Sequence, residues 1–597
     1  MTGPTAIGKA PITIVELEQP RCINRFGTSP CTATGTPKCY NTGATCADLP
    51  NFTPTGSIKW RFMDGRPGAF DYSDMSDPDN QELPPIPCAV SVSTSEGQIN
   101  AGANLDGRSA LGVTSKVTIT LQDFPWNDQW GDFYAADRTG YVAGRPNPTR
   151  ANFWALWTAR NALFNDMILT VYDGYEGQAI TAMRKRVYVL DKVNGPNGSG
   201  GVTLTGLDPL RLADEKKAEF PRTSDLEIYG DTNDTTTIVQ VFGLEADLTA
   251  DFGNTGSDRW LVAGNELIKY TGYTDEGDGI YTLTGVVRGD LGTTKESHDD
   301  RDKLQRAGRY VDEQFWRVAS DWLLSHTEIP SAFVPVTDWD AEGNEYLPTY
   351  RTTRTVIDPT PVKDLIAELS QQGLFYIWWS EYDREIKMLA VRPPDTEPQT
   401  FTDAANLLRG SVLTREPDSR LTQVAVYYDQ IDVFGGAEDT ANYKRRFTSI
   451  DGDNLGDTRA KSIFAPWITN RTQAVQLAVR LLIRYRAVPE FLQVTIDAKD
   501  REAVLGTVLD IETRTIVDSE GNANARRWQV ISSKELRAGH TYVLRCQTYE
   551  YFGRFGRFAP EDAPDFSAAT DEQKAVGAWY AGDDGLMDDG SEGYQYQ

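Results

Sequence analysis

Histidine is scarce in this chain: there are three in 597 residues, His298, His326 and His540, and they stand far apart. An enzyme that works through a nucleophile, a base and an orienting group, or through a metal triad, draws on convergent residues of that kind. No GxSxG, HExxH or phosphate-loop pattern occurs either. The chain is therefore read as a non-enzyme, with no catalytic residue assigned. Paired carboxylates are left open, because 86 Asp and Glu offer too many combinations to rank. Long apolar runs are also missing: nothing approaches the roughly 18 residues of a membrane span, and the start, MTGPTAIGKAPITIVELEQP, has no basic region followed by an apolar run. The expectation is a protein with no membrane segment and no export signal. Positive charge is in deficit too, 59 Lys and Arg against 86 Asp and Glu for a net charge of -27, spread along the chain. Affinity for a phosphate backbone rests on neutralising phosphates with Lys and Arg, so tight nucleic-acid binding is disfavoured.

What is present is enough apolar material, 40% of residues with 11% aromatic, to fill several cores. At roughly 150 residues per domain, about four domains are expected. PITIVELE (11–18) reads as a strand, followed to about Thr55 by a Gly, Thr, Pro and Cys-rich stretch with little periodicity. From Ile58 to about Arg222 short alternating runs predict β-strands, interrupted by one helix at about 150–165 with Phe153, Leu156, Trp157, Leu163 and Phe164 on or beside one face. VQVFGL, RWLVAG, ELIKYTGY and IYTLTGVV, between about Thr235 and Ala307, predict a small β-barrel or sandwich. An α+β block follows, with helices over 313–325 and 362–372, the second opened by Asp358, Pro359 and Pro361 and stopped by Gly373, and then a hairpin. Strands return from Ser411 to about Phe555 with one helix over 471–487 and the strand FLQVTIDA. Helix-then-strand ending in Asp echoes 150–173, a pattern consistent with an internal repeat. From about Pro560 the chain is acidic and Gly-rich, and reads as a disordered tail.

Four of the six cysteines, Cys22, Cys31, Cys39 and Cys46, fall within 25 residues. Cys88 and Cys546 sit in apolar strand patterns and read as small buried hydrophobes. Three readings compete for the four. Structural zinc sites generally use at least one tight pair with two to four intervening residues, whereas the intervening lengths here are 8, 7 and 6. Disulfides suit the loop lengths but not a reducing compartment. An iron-sulfur cube takes one thiolate per corner and tolerates four cysteines on separate loops. Spacing alone leaves all three open.

The wording of this segment is more specific. CINRFGTSPCTATGTPKCYNTGATC resembles the cysteine loop CxNxxGxxPCxxTGxxKCYNTxxTC of tail tip or baseplate hub proteins of siphophages and of related gene transfer agents, keeping all four Cys with Gly27, Pro30, Gly35, Lys38, Tyr40 and Asn41. VVRGDLGTTKESHDDRD (286–302) resembles the RGxxGTxxxxH signature of phage tail-tip proteins, and IDPTPVKDLIAELSQQGLFYIWW with IKMLAVRPP resembles a helix and hairpin block of the hubs. His298 in that signature is expected to cap a turn and not to act as a base.

The resemblance implies a 4Fe-4S cluster on Cys22, Cys31, Cys39 and Cys46, with structural zinc as the alternative. It also implies a homotrimer in the tail tip of the virion, assembled in the bacterial host cytoplasm. Its partners would be a distal tail ring, central fibre or tip proteins and the tape measure protein, with DNA only in transit. The fold expected is multidomain and mainly β with α+β: strand and cysteine-rich cluster loop 1–57, first tail-tube-like β-domain 58–230, inserted small β-barrel 231–312, α+β domain 313–400, second tube-like β-domain 401–558 and tail 559–597. Two alternatives stand beside it, a receptor- or carbohydrate-binding tail protein and a tail-associated hydrolase. Trp126, Trp130, Trp378 and Trp379 would have to offer free faces for sugars, and are expected in the core or at an interface instead.

Overall fold

The structure is a computed structural model. It describes residues 11–549 and Thr570, apart from 35–38, 65–84, 96, 100–114, 127–150, 165–166, 215–217, 250–257, 393, 395–397, 409, 452–457, 499–502 and 538–540. Trp130, His540 and all of the expected tail except Thr570 thus lie outside the described residues. The chain is a multidomain, mainly β protein with an α+β part built onto a central core.

The first sheet has eight strands in the order 86–87, 56–63, 11–21, 168–175, 184–194, 201–207, 116–122 and 89–95. Strict alternation builds it: in Lys116–Gln122, Val117, Ile119 and Leu121 point inward and their neighbours outward. Those side chains meet helix α1 (Phe153–Arg160), whose Phe153, Trp154 and Trp157 are buried among Val15, Leu17 and Phe62. Asp123, at the end of the adjoining strand, starts α1 by accepting the Trp154 N–H at 2.9 Å. The helix is shorter than the expected 150–165. Asn161 ends it, sending both its backbone N–H and its Nδ2 to the Trp157 carbonyl, and Leu163 is left 92% exposed. Strand Arg184–Asn194 is buried on both faces: Tyr188 and Leu190 join this layer, Val187 and Val189 the central core.

The second sheet is a half-barrel of short strands, 266–270, 259–263, 303–314, 226–228, 240–242, 280–284 and 272–277, around Leu226, Val241, Leu261, Ile268 and Leu304. Its long strand Lys303–Gln314 leaves it and pairs over Gly308–Gln314 with Arg351–Val356. The central core there is built by α2 (Phe315–Ser325), α3 (Val336–Tyr346), α4 (Val362–Gly373) and the hairpin Phe375–Ser380/Glu385–Ala390. Helix α3 was not expected, since its sequence VTDWDAEGNEY buries only Trp339 and Gly343. Gly373 is the last residue of α4, and the left-handed cap falls on Leu374, φ 55°. Glycine is required at 373 for space: a Cβ there would lie 2.4 Å from Phe375 and 2.7 Å from Phe315.

Helix α5 (Arg471–Tyr485), capped by the Asn470 side chain, packs on a three-stranded sheet (443–450, 423–430, 460–465), and its Leu477, Leu481 and Tyr485 enter the central core. The strand after it, Glu490–Asp497, belongs to another sheet, ordered 399–402, 508–512, 526–537, 541–548, 490–497 and 412–415. Gly97–Gln98, from the first part of the chain, pairs with the 526–537 strand of that sheet.

Candidate functional site

The four clustered cysteines lie in the connection between two paired strands, Pro11–Arg21 and Gly56–Met63, which meet at Arg21 and Gly56. Among the described residues of this connection only Cys22, Ala33 and Cys39 are buried apolar side chains, so the loop has almost no hydrophobic core of its own. Asn41 substitutes for one. It is 2% exposed, adopts φ 59°, accepts the Cys22 N–H on its carbonyl and returns its Nδ2 to the Cys22 carbonyl. Tyr40 and Thr42 dock the loop onto the end of α1: the Arg160 guanidinium lies 3.7 Å from the Tyr40 ring centre, and the Thr42 hydroxyl donates to the Arg160 carbonyl at 2.7 Å. Asp48 ties the far side by accepting the Thr32 N–H at 2.6 Å.

Three of the four sulfurs receive a backbone N–H: Cys39 from Asn41, Cys46 from Asp48 and Cys22 from Thr53, each at 3.4 Å. Such donors favour thiolate over thiol and are a means by which a protein tunes a thiolate-held group. All four cysteines are free of disulfides. Burial raises the Cys39 thiol above its ordinary value; the Asn41 N–H pulls it down, and the charges of Cys46, Cys31 and Cys22 raise it again. Cys22, Cys31 and Cys46 are therefore near enough for their charges to act on Cys39. Among the described residues, however, no three His, Cys, Asp or Glu side chains stand close enough to hold one metal ion. Gly35 and Lys38 of the loop lie outside the described residues.

The RGxxGTxxxxH segment has a different task. Its residues converge on Glu266, a fully buried carboxylate on the neighbouring strand. Arg288 donates to it through Nε at 2.5 Å and Nη2 at 2.6 Å, the Gly289 and Glu296 N–H groups at 2.9 and 3.0 Å, and His298 Nε2 lies 2.9 Å away. An ionised carboxylate only accepts, so His298 is the donor in that contact. Burial alone would raise the Glu266 carboxyl, but Arg288, the Glu296 N–H and His298 outweigh it and hold it below its ordinary value. Gly289, at φ 65°, makes the turn a side chain would block: a Cβ would lie 2.9 Å from the Thr293 carbonyl oxygen. His298 holds a turn to a buried acid, and the Glu266 hub was missed because nothing in the sequence marks one Glu on another strand as its partner.

The remaining candidates are structural. Trp126 is buried beside Trp60 and Phe153, and Trp379 is buried with its indole N–H on the Val187 carbonyl. Trp378 is half-buried. His326 is buried against Phe220 at the end of α2. Cys546 is fully buried in its sheet, and burial, with the Asp123 charge, pushes the Cys88 thiol up to about 12. No helix among the described residues is long and apolar enough to cross a membrane.

No protein-family model and no curated protein matches the chain. Among solved structures, the 43 kDa tail protein of prophage MuSo2 from Shewanella oneidensis is similar at 9% identity and a TM-score of 0.35, over 76% of this chain and 93% of that one. The tail protein from Neisseria meningitidis MC58 is similar at 10% identity and a TM-score of 0.35, over 76% and 91%. A chain of the virion of a native gene transfer agent particle is similar at 11% identity and a TM-score of 0.30, over 57% and 91%.

Proposed function

We propose that this chain is a structural hub protein of a phage-type tail tip, a homotrimer that closes the tail tube, joins a distal ring to fibre or tip proteins and forms part of the conduit for DNA. The observation that carries the reading is the cysteine loop. In a segment worded like the hub loop, three thiols lie near enough for their charges to act on the fourth, Cys39, and three of the four sulfurs accept backbone N–H groups, in a connection that has almost no hydrophobic core among its described residues. Cys22, Cys31, Cys39 and Cys46 would hold a 4Fe-4S cluster, one thiolate each.

When bound, such a group supplies cross-links, and its binding energy becomes folding energy for the loop. The chain's own residues do the rest. Asn41, Asp48 and Thr53 neutralise thiolate charge through their N–H groups, while Tyr40 and Thr42 fix the loop to α1. The net charge of -27 suits a conduit wall that repels phosphates and lets DNA pass without sticking.

The test is anaerobic purification followed by visible absorption, iron and sulfide analysis, and native mass determination. A brown trimer with about four irons per chain, as four thiolate corners require, supports the reading. A colourless zinc protein removes the cluster, and a metal-free monomer removes the hub reading as well.

A further inference from the structure

Away from the cysteine loop, six separate stretches of chain line a partly open cavity of about 50 Å³. Its wall includes Gly97, Ser115, Asp208, Trp378, Glu381 and Leu505. At roughly 10–15 Å³ per water-sized group it has room for about four such groups. Two acids, Asp208 and Glu381, line it, and among the described residues lining it there is no Lys, Arg or His. Of the neighbouring arginines, Arg186 pairs with Asp173 at 2.5 Å, Arg211 with Asp191 at 3.3 Å and Arg184 with Glu535 at 3.2 Å, and the Arg186 charge also reaches Glu381.

The polar groups of the wall are held in place but not used up. Asp208, 5% exposed, accepts the Ser115 N–H at 3.1 Å and the Leu210 N–H at 3.0 Å. Glu381 accepts the Tyr188 hydroxyl at 3.0 Å. The Ser115 hydroxyl, on a residue 4% exposed, has no hydrogen-bond partner among the described residues. An orphaned buried hydroxyl is costly, so its presence beside a cavity marks a place that suits a donor. Burial, opposed by the Ser115 N–H and reinforced by the Glu381 charge, pushes the Asp208 carboxyl up to about 7. Gly97 keeps the space open: a Cβ there would lie 3.3 Å from Leu505 and 3.4 Å from the Ser115 Cβ.

We propose that this cavity binds a primary alkylammonium group, carried by a free polyamine or by a lysine side chain of another protein. An ammonium has three hydrogens to donate, and Asp208, Glu381 and the Ser115 oxygen are three acceptors on one cavity. Leu505 and the indole of Trp378 suit the methylene stem, and an aromatic face also attracts the cation. A single metal ion suits the site less well, since among the described residues no third acid, His or Cys joins the two carboxylates.

The full chain is titrated with n-butylammonium chloride, n-butanol and Nα-acetyl-lysine N-methylamide by ligand-observed NMR. Hydrogen bonds to charged groups are worth ~1.5–3 kcal/mol, so butylammonium should bind about tenfold or more tighter than butanol, and Asp208→Asn should remove most of that preference. Should Asp208→Asn fail to fold, Glu381→Gln and Gly97→Ala carry the test, the first weakening the charge and the second filling the space. Binding of the lysine derivative alongside butylammonium assigns the site to a protein-borne lysine, and its exclusion assigns it to a free amine. Equal binding of butanol, indifference of butylammonium to both Glu381→Gln and Gly97→Ala, or displacement of butylammonium by a lower concentration of calcium chloride overturns the proposal.

Discussion

Glu266→Ala should loosen the half-barrel while leaving the rest of the chain in place. The substitution removes an acceptor that serves two nitrogens of a buried guanidinium, two backbone N–H groups and an imidazole. Breaking a buried ion pair by deleting one partner costs about 3–5 kcal/mol because the other charge stays buried unpaired. Arg288 is 5% exposed and has that fate. The orphaned N–H groups add to it, but these contacts form one network and their costs do not sum. A local loss of about 4 kcal/mol is expected, which is nearly 10³-fold in an opening equilibrium. A chain with several cores has no single unfolding midpoint, so the assay is hydrogen-exchange mass spectrometry on peptides from 226–310. Acid gives the internal control. Glu266 has a folded pKa below its unfolded value, so its stabilisation is present above the unfolded value near 4.5 and is lost as pH falls through the folded one. Wild-type peptides should lose protection on that descent, and Glu266→Gln should abolish this part of the slope. Unchanged exchange at 226–310 in Glu266→Ala would refute the hub.

Asn41→Ala removes the clamp on Cys22 and puts alanine at φ 59°, so the loop should lose about 1–3 kcal/mol, read as faster exchange across 22–55. Gly343→Ala drives a methyl to within 2.3 Å of the Trp316 ring and should cost about 1–3 kcal/mol or more, visible as a lower first thermal transition; an unaltered one means that α3 can shift. Double-stranded DNA should show no binding tighter than the ~10⁻⁴–10⁻⁶ M of non-specific contacts at 0.15 M salt; a nanomolar complex would contradict the repelling wall.

Helices with an apolar stripe were legible from sequence, as α4 shows: Leu365, Ile366 and Leu369 stand at helical spacing and are buried. Helix α3 was not, because it is held by one tryptophan and one glycine, too few to make a period. Gly373 was read as a stop signal when its real constraint is the space beside Phe315, which no local rule carries. The cysteine loop could be read because its residues crowd in the chain. Ser115, Asp208 and Glu381 could not, since the cavity draws them from segments 93 or more residues apart, and sequence spacing holds no trace of which hydroxyl will be left without a partner.

Strand Lys303–Gln314 belongs to two structures at once, pairing with Leu226–Ile228 and Arg259–Ala263 in the half-barrel and with Arg351–Val356 in the central core. Its run from Lys303 to Tyr310 spans about 26 Å, ahead of a bulge at which Asp312 adopts φ 50°. The half-barrel is thus mounted on a beam and not on a hinge. A pull or twist applied to it is delivered to the central core as shear along a ladder of backbone hydrogen bonds that share the load, and no flexible linker in that strand absorbs it first.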